Sequence, residues 1–189
     1  MIRELITGTR SYRRFQGDHV IEGDTLRGLV DLARLGASAA NKQSLRYILS
    51  CDGTKNALIF PHLGWAAYLK DWRGPAVHER PSAYIIILDH RKTTLSFGCD
   101  YGIAAQNIML GATEQGLGGC MLASIDRDGL RRDLSIPDIY DICLVLALGK
   151  PAEAVVLEGV GASGDIRYWR DEDDVHHVPK RSLEDIIIG

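Results

Sequence analysis

Apolar residues recur along this chain with two different periods, and the switches between them outline its elements. Ile2, Leu5 and Ile6 fall at helical spacing in a segment that stops at Gly8. Leu26, Leu29, Val30, Ala33 and Ala37 line one face of a second helix, with Asp24 placed as its N-cap and Gly36 near its end. The strongest helical pattern runs from Asp100 to Gln115. There Ala104, Ala105, Ile108, Met109 and Ala112 keep register, and Gly116 lies just past the end. Ala83 to Leu88 and Ile142 to Leu148 are apolar at consecutive positions instead, the mark of strands buried on both faces.

Shorter elements fill the gaps. Arg46 to Ser50 reads as a strand, and Asp52 to Leu69 as a helix broken at Pro61 and Gly64. Lys70 to Pro81 reads as an exposed loop. Gly118-Gly119 leads into a predicted strand from Cys120 to Ile125, and Asp126 caps a short helix to Leu134. Pro151 to Asp165, rich in glycine and short side chains, predicts a mobile excursion. Tyr168 to Arg170 and Val175 to Val178 flank the acidic turn Asp171 to Asp174 and predict a hairpin. Leu183 to Ile188 closes the chain as an apolar segment. With no internal repeat, and helices first followed by strands alternating with helices, the order indicates an α+β or mixed α/β domain.

The length, 189 residues, fits a single domain spanning residues 1–189. A net charge of -3 lacks the broad positive field that nucleic acid or an anionic membrane requires. Cys51, Cys99, Cys120 and Cys143 stand singly, without metal-ligand spacing, so no metal site is expected. There is no apolar run of signal-peptide type, and the longest apolar runs are too short to span a bilayer. These features predict a soluble cytoplasmic protein.

Against that background one local cluster of charge stands out, Arg10-Ser11-Tyr12-Arg13-Arg14-Phe15. Guanidinium forks match phosphate oxygens and the serine adds a neutral donor, so the hexad is a candidate anion grip. A solvated basic turn at a helix end is the plainer alternative. Ser38 to Gln43 presents small residues and then the amides of Asn41 and Gln43, able to read the polar edge of a ring. Gly116 to Ser124 permits close backbone approach, but its glycines precede a strand, the reverse of a dinucleotide fingerprint. Pro179-Lys180-Arg181 is a second basic cluster. His176 and His177 would point to opposite faces of a strand and make poor joint metal ligands. No nucleophile–base pair is legible and no catalytic residue is assigned, so any chemistry is expected to come from a cofactor.

Taken together and in order, these segments resemble the nitroreductase family of FMN-dependent oxidoreductases. The matching pieces are Arg10 to Phe15, Ala37 to Leu45, Asp100 to Asn107, the Gly-Leu-Gly stretch, Ile136-Pro137, Ala147 to Pro151 and Val178 to Arg181. The resemblance implies a three-layer fold, with a central mixed, mainly antiparallel sheet flanked by helices, in an intertwined homodimer carrying FMN at the interface. By position, Arg10, Ser11 and Arg13 would hold the phosphate and ribityl chain, and Lys180 and Arg181 would complete the grip. Ser38, Ala39, Asn41 and Gln43 would belong to the loop reaching the flavin from the partner subunit, and the backbone of Ala123 and Ser124 would lie beside the ring. The implied activity passes a hydride from NADH or NADPH through FMN to an electron-poor small molecule, a nitroaromatic or quinone. A specialised flavin reaction of the wider superfamily (dehalogenation, azoline oxidation, flavin destruction) and a non-catalytic flavin-binding protein are the alternatives. The chain departs from the family pattern at Ala37 and Ser44, where prolines are usual, and at Leu45, where tryptophan is. Trp65, Tyr68 and Trp72 lie where the family varies its substrate lid; they could stack on a flat acceptor or pack an irregular helix.

Overall fold

Strands β2 (Ala83–His90) and β4 (Tyr140–Gly149) pair antiparallel at the centre of a computed structural model that describes residues 1–91 and 98–189. Strands β1 (Leu45–Ser50) and β3 (Gly118–Leu122) flank them, giving the order β1-β2-β4-β3 with every pair antiparallel. Successive side chains of the two central strands go to opposite faces. Ile85, Ile87, Leu144, Leu146 and Leu148 pack with Leu26 and Leu29 of α2 (Gly23–Arg34) and with Ala105, Ile108 and Ala112 of α4 (Asp100–Glu114). Tyr84, Ile86, Leu88, Val145 and Ala147 pack with Ile59 of α3 (Gly53–Ile59) and Leu130 of α5 (Arg127–Asp133). Fully burying one such aliphatic side chain is worth about 1.5–3 kcal/mol, so a sheet apolar on both faces demands both helical layers. The register shifts between Ile87 and Leu88, and Cys143 is the extra residue. That bulge is why Ile142 and Val145, three apart, share one face.

The three-layer α+β arrangement is the expected one. The four-stranded sheet is antiparallel throughout, and among the described residues parallel pairing enters only through an isolated Ser11–Gly119 bridge and a second, smaller sheet. Several boundaries differ from the sequence reading. Glu22, not Asp24, is the N-cap of α2, and Asp24 lies in the first turn. Asp52 caps α3 through the amide of Lys55, but the helix ends at Ile59, before Pro61, with a single 3-10 turn after it; 64–69 are not helical. β3 stops at Leu122 rather than Ile125. α1 (Ile2–Gly8) and α5, capped by Asp126 at the Gly129 amide, fall where periodicity puts them.

The larger correction concerns the segment after β4. Val155–Gly159, inside the predicted mobile excursion, is strand β5 and pairs parallel to β7 (His176–Lys180). β6 (Trp169–Arg170) pairs antiparallel to β7 across the expected acidic turn, completing a three-stranded sheet. His176 and His177 do face opposite ways. His176 is buried, while His177 lies flat on Trp169 (4.2 Å between centroids) and spans Glu158 at 3.1 Å and Asp171 at 2.9 Å.

The Asp171 hydrogen bond, followed by that to Glu158, raises the His177 pKa above 6.5, and His177 in turn lowers that of Asp171. A raised folded-state pKa means that protonation favours the folded state. The contribution is full below the unfolded value and disappears as pH rises through the folded one. The melting-temperature difference between wild type and His177→Gln is therefore expected to be largest near about pH 5.5 and to shrink toward about pH 8.5, as measured by thermal denaturation across that range.

Candidate functional site

The hexad leaves α1 in an extended path along the free edge of β3. The Tyr12 amide donates to the Gly119 carbonyl at 2.9 Å, and Ser11 bridges the same glycine. Gly118 has to be glycine, since a Cβ there would sit 2.5 Å from the Tyr12 ring and 2.7 Å from Pro151. Phe15 anchors the far end: it is 1% exposed, bridges Pro151 and lies against Gly149.

This path opens a cavity of about 350 Å³. Thr9, Arg10, Ser11 and Arg13 form one wall, and Gln106 and Met109 of α4 with Met121 of β3 form the floor. The second sheet supplies the opposite wall through Tyr168, His176, Val178 and Lys180. Arg13 is the decisive group. It is 8% exposed, yet among the described residues its guanidinium has no carboxylate within ion-pair distance. Nη1 donates to the Ser11 carbonyl at 3.2 Å and meets His176 Nε2 at 3.2 Å, the Tyr168 ring lies 4.7 Å away, and Nε has no partner among the described residues. Arg10 donates to the Ile6 carbonyl at 2.7 Å, and its buried Nε likewise has no partner among them.

His176 adds no charge. Burial first, then Arg13 and Arg170, pushes its pKa down to about 4. Because arginine only donates, Nε2 must accept, and the ring proton sits on Nδ1. Arg10, Arg13 and Lys180 thus converge on a cavity whose other lining groups are neutral. Leaving a cation buried and unpaired costs several kcal/mol, so the Arg13 charge favours an anion over a neutral or cationic group in this cavity.

The polar loop forms a separate place. Asp100, the first residue of α4, accepts from Ser38 Oγ at 2.9 Å and from the Ala39 amide at 3.1 Å, and Ser38 Oγ accepts from the Gln43 amide at 2.9 Å. Ala40, Asn41 and Gln43 are held at φ of 49°, 53° and 50°, left-handed conformations without a glycine among them. Ser38 and Gln43 line a cavity of about 160 Å³ with Asp100 and Ala104. Helical periodicity puts Asp100 and Ala104 on the opposite side of α4 from Gln106 and Met109. Within one chain the structure therefore unites Arg10, Ser11, Arg13 and Lys180, and keeps Ser38, Ala39, Asn41 and Gln43 apart from them.

Ala123 and Ser124 are exposed just past β3, where the Ser124 carbonyl accepts from the Gly64 amide at 2.8 Å; they line neither cavity. Arg181, exposed beyond β7, lines neither. The sequence reading missed Tyr168, His176 and Gln106 in the cavity and Asp100 beneath the loop. Only His176 had a usable signal, its inward position in an alternating strand. The lid aromatics pack within the chain: Trp65 on Phe60, Tyr68 on Tyr168, and Trp72 against Arg170. No group of acidic, histidine or cysteine side chains among the described residues could hold a metal, and no helix there is long and apolar enough to cross a membrane.

Comparison with known proteins agrees with this architecture. A model of the nitroreductase family matches residues 6–150. The chain belongs to the nitroreductase family. Its relatives include a protein of Methanothermobacter thermautotrophicus, named as an NADH dehydrogenase/NAD(P)H nitroreductase, 30% identical over 161 residues that cover 80% of this chain and 78% of the relative. Among solved structures, a nitroreductase family protein from Clostridium novyi NT superposes with a TM-score of 0.67 at 21% identity, covering 98% of each chain. An FMN-dependent nitroreductase from Clostridium difficile R20291 gives a TM-score of 0.65 at 22% identity, covering 81% of this chain and 88% of its own. The family match stops at Lys150, so the small sheet that walls the cationic cavity lies beyond it.

Asp100 holds the polar loop through charge-assisted hydrogen bonds. Asp100→Ala is expected to cost about 1–3 kcal/mol in urea denaturation and to accelerate amide exchange at 38–43.

Proposed function

We propose that this nitroreductase family member binds FMN and catalyses electron transfer from NADH or NADPH to an electron-poor small molecule, a nitroaromatic or quinone. The observation that carries the reading is the buried, carboxylate-free Arg13 facing a cavity shared with Arg10, Ser11 and Lys180. A dianionic phosphate suits that donor set: three cations, one hydroxyl and unsatisfied guanidinium N–H groups. A relative named for NAD(P)H and a structural neighbour named as FMN-dependent support the same cofactors.

The chemistry that FMN supplies when bound is hydride exchange, in from the nicotinamide and out to the acceptor, in ping-pong order. The chain's own groups bind and orient. Ser11 O, His176 Nε2 and the Tyr168 ring fix the Arg13 fork, leaving its remaining donors for the anion. Arg10 and Lys180 approach from opposite walls, so the two ends of the chain share one ligand. Neutral His176 accepts from Arg13 without competing for the phosphate. Met109, Met121 and Val178 exclude water from the floor and wall, which strengthens each of these contacts.

In this reading a second copy completes the site, presenting its own Ser38, Ala39, Asn41 and Gln43 to the flavin. The separation of that loop from the cationic cavity supports the assignment. So does the exposed tail, with Leu183, Ile186, Ile187 and Ile188 each more than half accessible, an apolar surface suited to a partner. Ala123 and Ser124 are assigned to the ring and Arg181 to the outer phosphate rim. We assign the protein to the cytoplasm, in keeping with its unpaired cysteines.

Purified protein should be yellow, and NADH or NADPH should bleach it anaerobically. Arg13→Gln should weaken FMN binding about ten- to hundredfold in a flavin-fluorescence titration, the loss of one charge-assisted contact. A colourless protein that takes up no added FMN would overturn the reading.

A further inference from the structure

We infer that Glu153 is a positioning residue of the cationic cavity: it grips the backbone that carries Arg13 while leaving the Arg13 charge free for the ligand. This inference rests on the FMN reading above.

Glu153 lies just beyond β4, and its side chain is 2% exposed. Oε1 accepts from the consecutive backbone amides of Arg13 and Arg14, the latter at 3.1 Å. Oε2 accepts from Arg170 Nη2 at 2.7 Å, and that side chain is 9% exposed. Trp72 lies 4.6 Å from the Arg170 guanidinium and closes the pair from outside. On either side, the Ala152 amide donates to the Arg14 carbonyl at 3.0 Å and the Gln16 amide to the Lys150 carbonyl at 2.8 Å.

Two consecutive amides held by one carboxylate fix the peptides on both sides of the Arg13 Cα, and with the Ala152 bond to the Arg14 carbonyl they set the direction in which each side chain leaves. Arg13 goes to the cavity, whereas Arg14 goes outward, where it meets Asp174 at 3.0 Å. The charge balance is equally specific. Arg170 occupies the second oxygen of Glu153, and the Arg13 guanidinium stays outside ion-pair distance of the carboxylate. Arg13, Arg170, Glu153 and neutral His176 therefore keep one net positive charge, carried by the arginine that faces the cavity. Were Arg170 absent, the carboxylate would be available to Arg13 and the site could neutralise itself. The grip and the decoy both come from beyond residue 150, outside the family match.

The test is a variant series read by the FMN dissociation constant and, separately, by the melting temperature of FMN-free protein. Glu153→Ala should raise the dissociation constant about tenfold or more. Glu153→Gln keeps an acceptor for the amides but strands Arg170, and should be comparably weak. Glu153→Gln with Arg170→Met removes the stranded cation and should return to within about threefold of wild type. A merely structural Glu153 would lower the FMN-free melting temperature of Glu153→Ala and leave the dissociation constant within about twofold. That result, or a double variant no better than Glu153→Gln, overturns the inference. If Glu153→Ala does not fold, the comparison of Glu153→Gln with the double variant decides. If wild type binds no FMN, the FMN reading fails by itself, and the series is scored on the rise in melting temperature with inorganic phosphate. Wild type indifferent to phosphate as well overturns this inference too.

Discussion

Because β2 and β4 carry apolar side chains on both faces, helices must cover both faces, and charged groups can enter only along sheet edges and at strand ends. That constraint decides where the site lies. β1 closes one edge of the central pair and β3 the other, and the outer edge of β3 is open to the hexad. The glycines of β3 let an extended, arginine-rich segment lie flat against that edge, and the small C-terminal sheet closes over it. The cavity walls are thus segments that touch the core without belonging to it, while Met109 and Met121 bring the core itself to the floor.

Within the hexad, three arginines that look equivalent in sequence acquire different duties. Arg14 is neutralised by Asp174, with Glu79 at 3.7 Å, and ties the hexad to two loops. Arg10 and Arg13 have no acid among the described residues. The difference comes from direction along an extended chain, and the direction is set by what holds the backbone. A count of basic residues would have missed it, because the net charge of the whole chain is negative.

The helices and central strands were legible because burial imposes a period on them, and Asp126 announced its cap, whereas Asp24 fell two residues inside the helix it was read to cap. β5 was not legible. Val155, Val156 and Leu157 sit among short and glycine residues, and their pairing is parallel to a strand about twenty residues on, which no local pattern encodes. The hexad and Lys180 were visible as basic clusters, and their meeting in one cavity was an inference from the family resemblance. The separation of the Ser38 to Gln43 loop from them within one chain could not be read, since it depends on which side of α4 each segment packs. Asp100 and Glu153 were invisible for a simpler reason: a single acid in a chain with 25 of them carries no signal until its partners are in place.

The left-handed residues of the polar loop have a further consequence. Ala40, Asn41 and Gln43 each forgo the ordinary backbone basin at a cost of about 1–2 kcal/mol, where glycine would sit almost freely. Asparagine tolerates this region better than the other two. Asp100 offsets the strain during folding, so the loop meets any ligand already ordered, and little conformational entropy remains to be lost at the encounter. Glycine substitutions there would relieve the backbone strain but leave the loop to find its shape at each encounter instead of holding it beforehand.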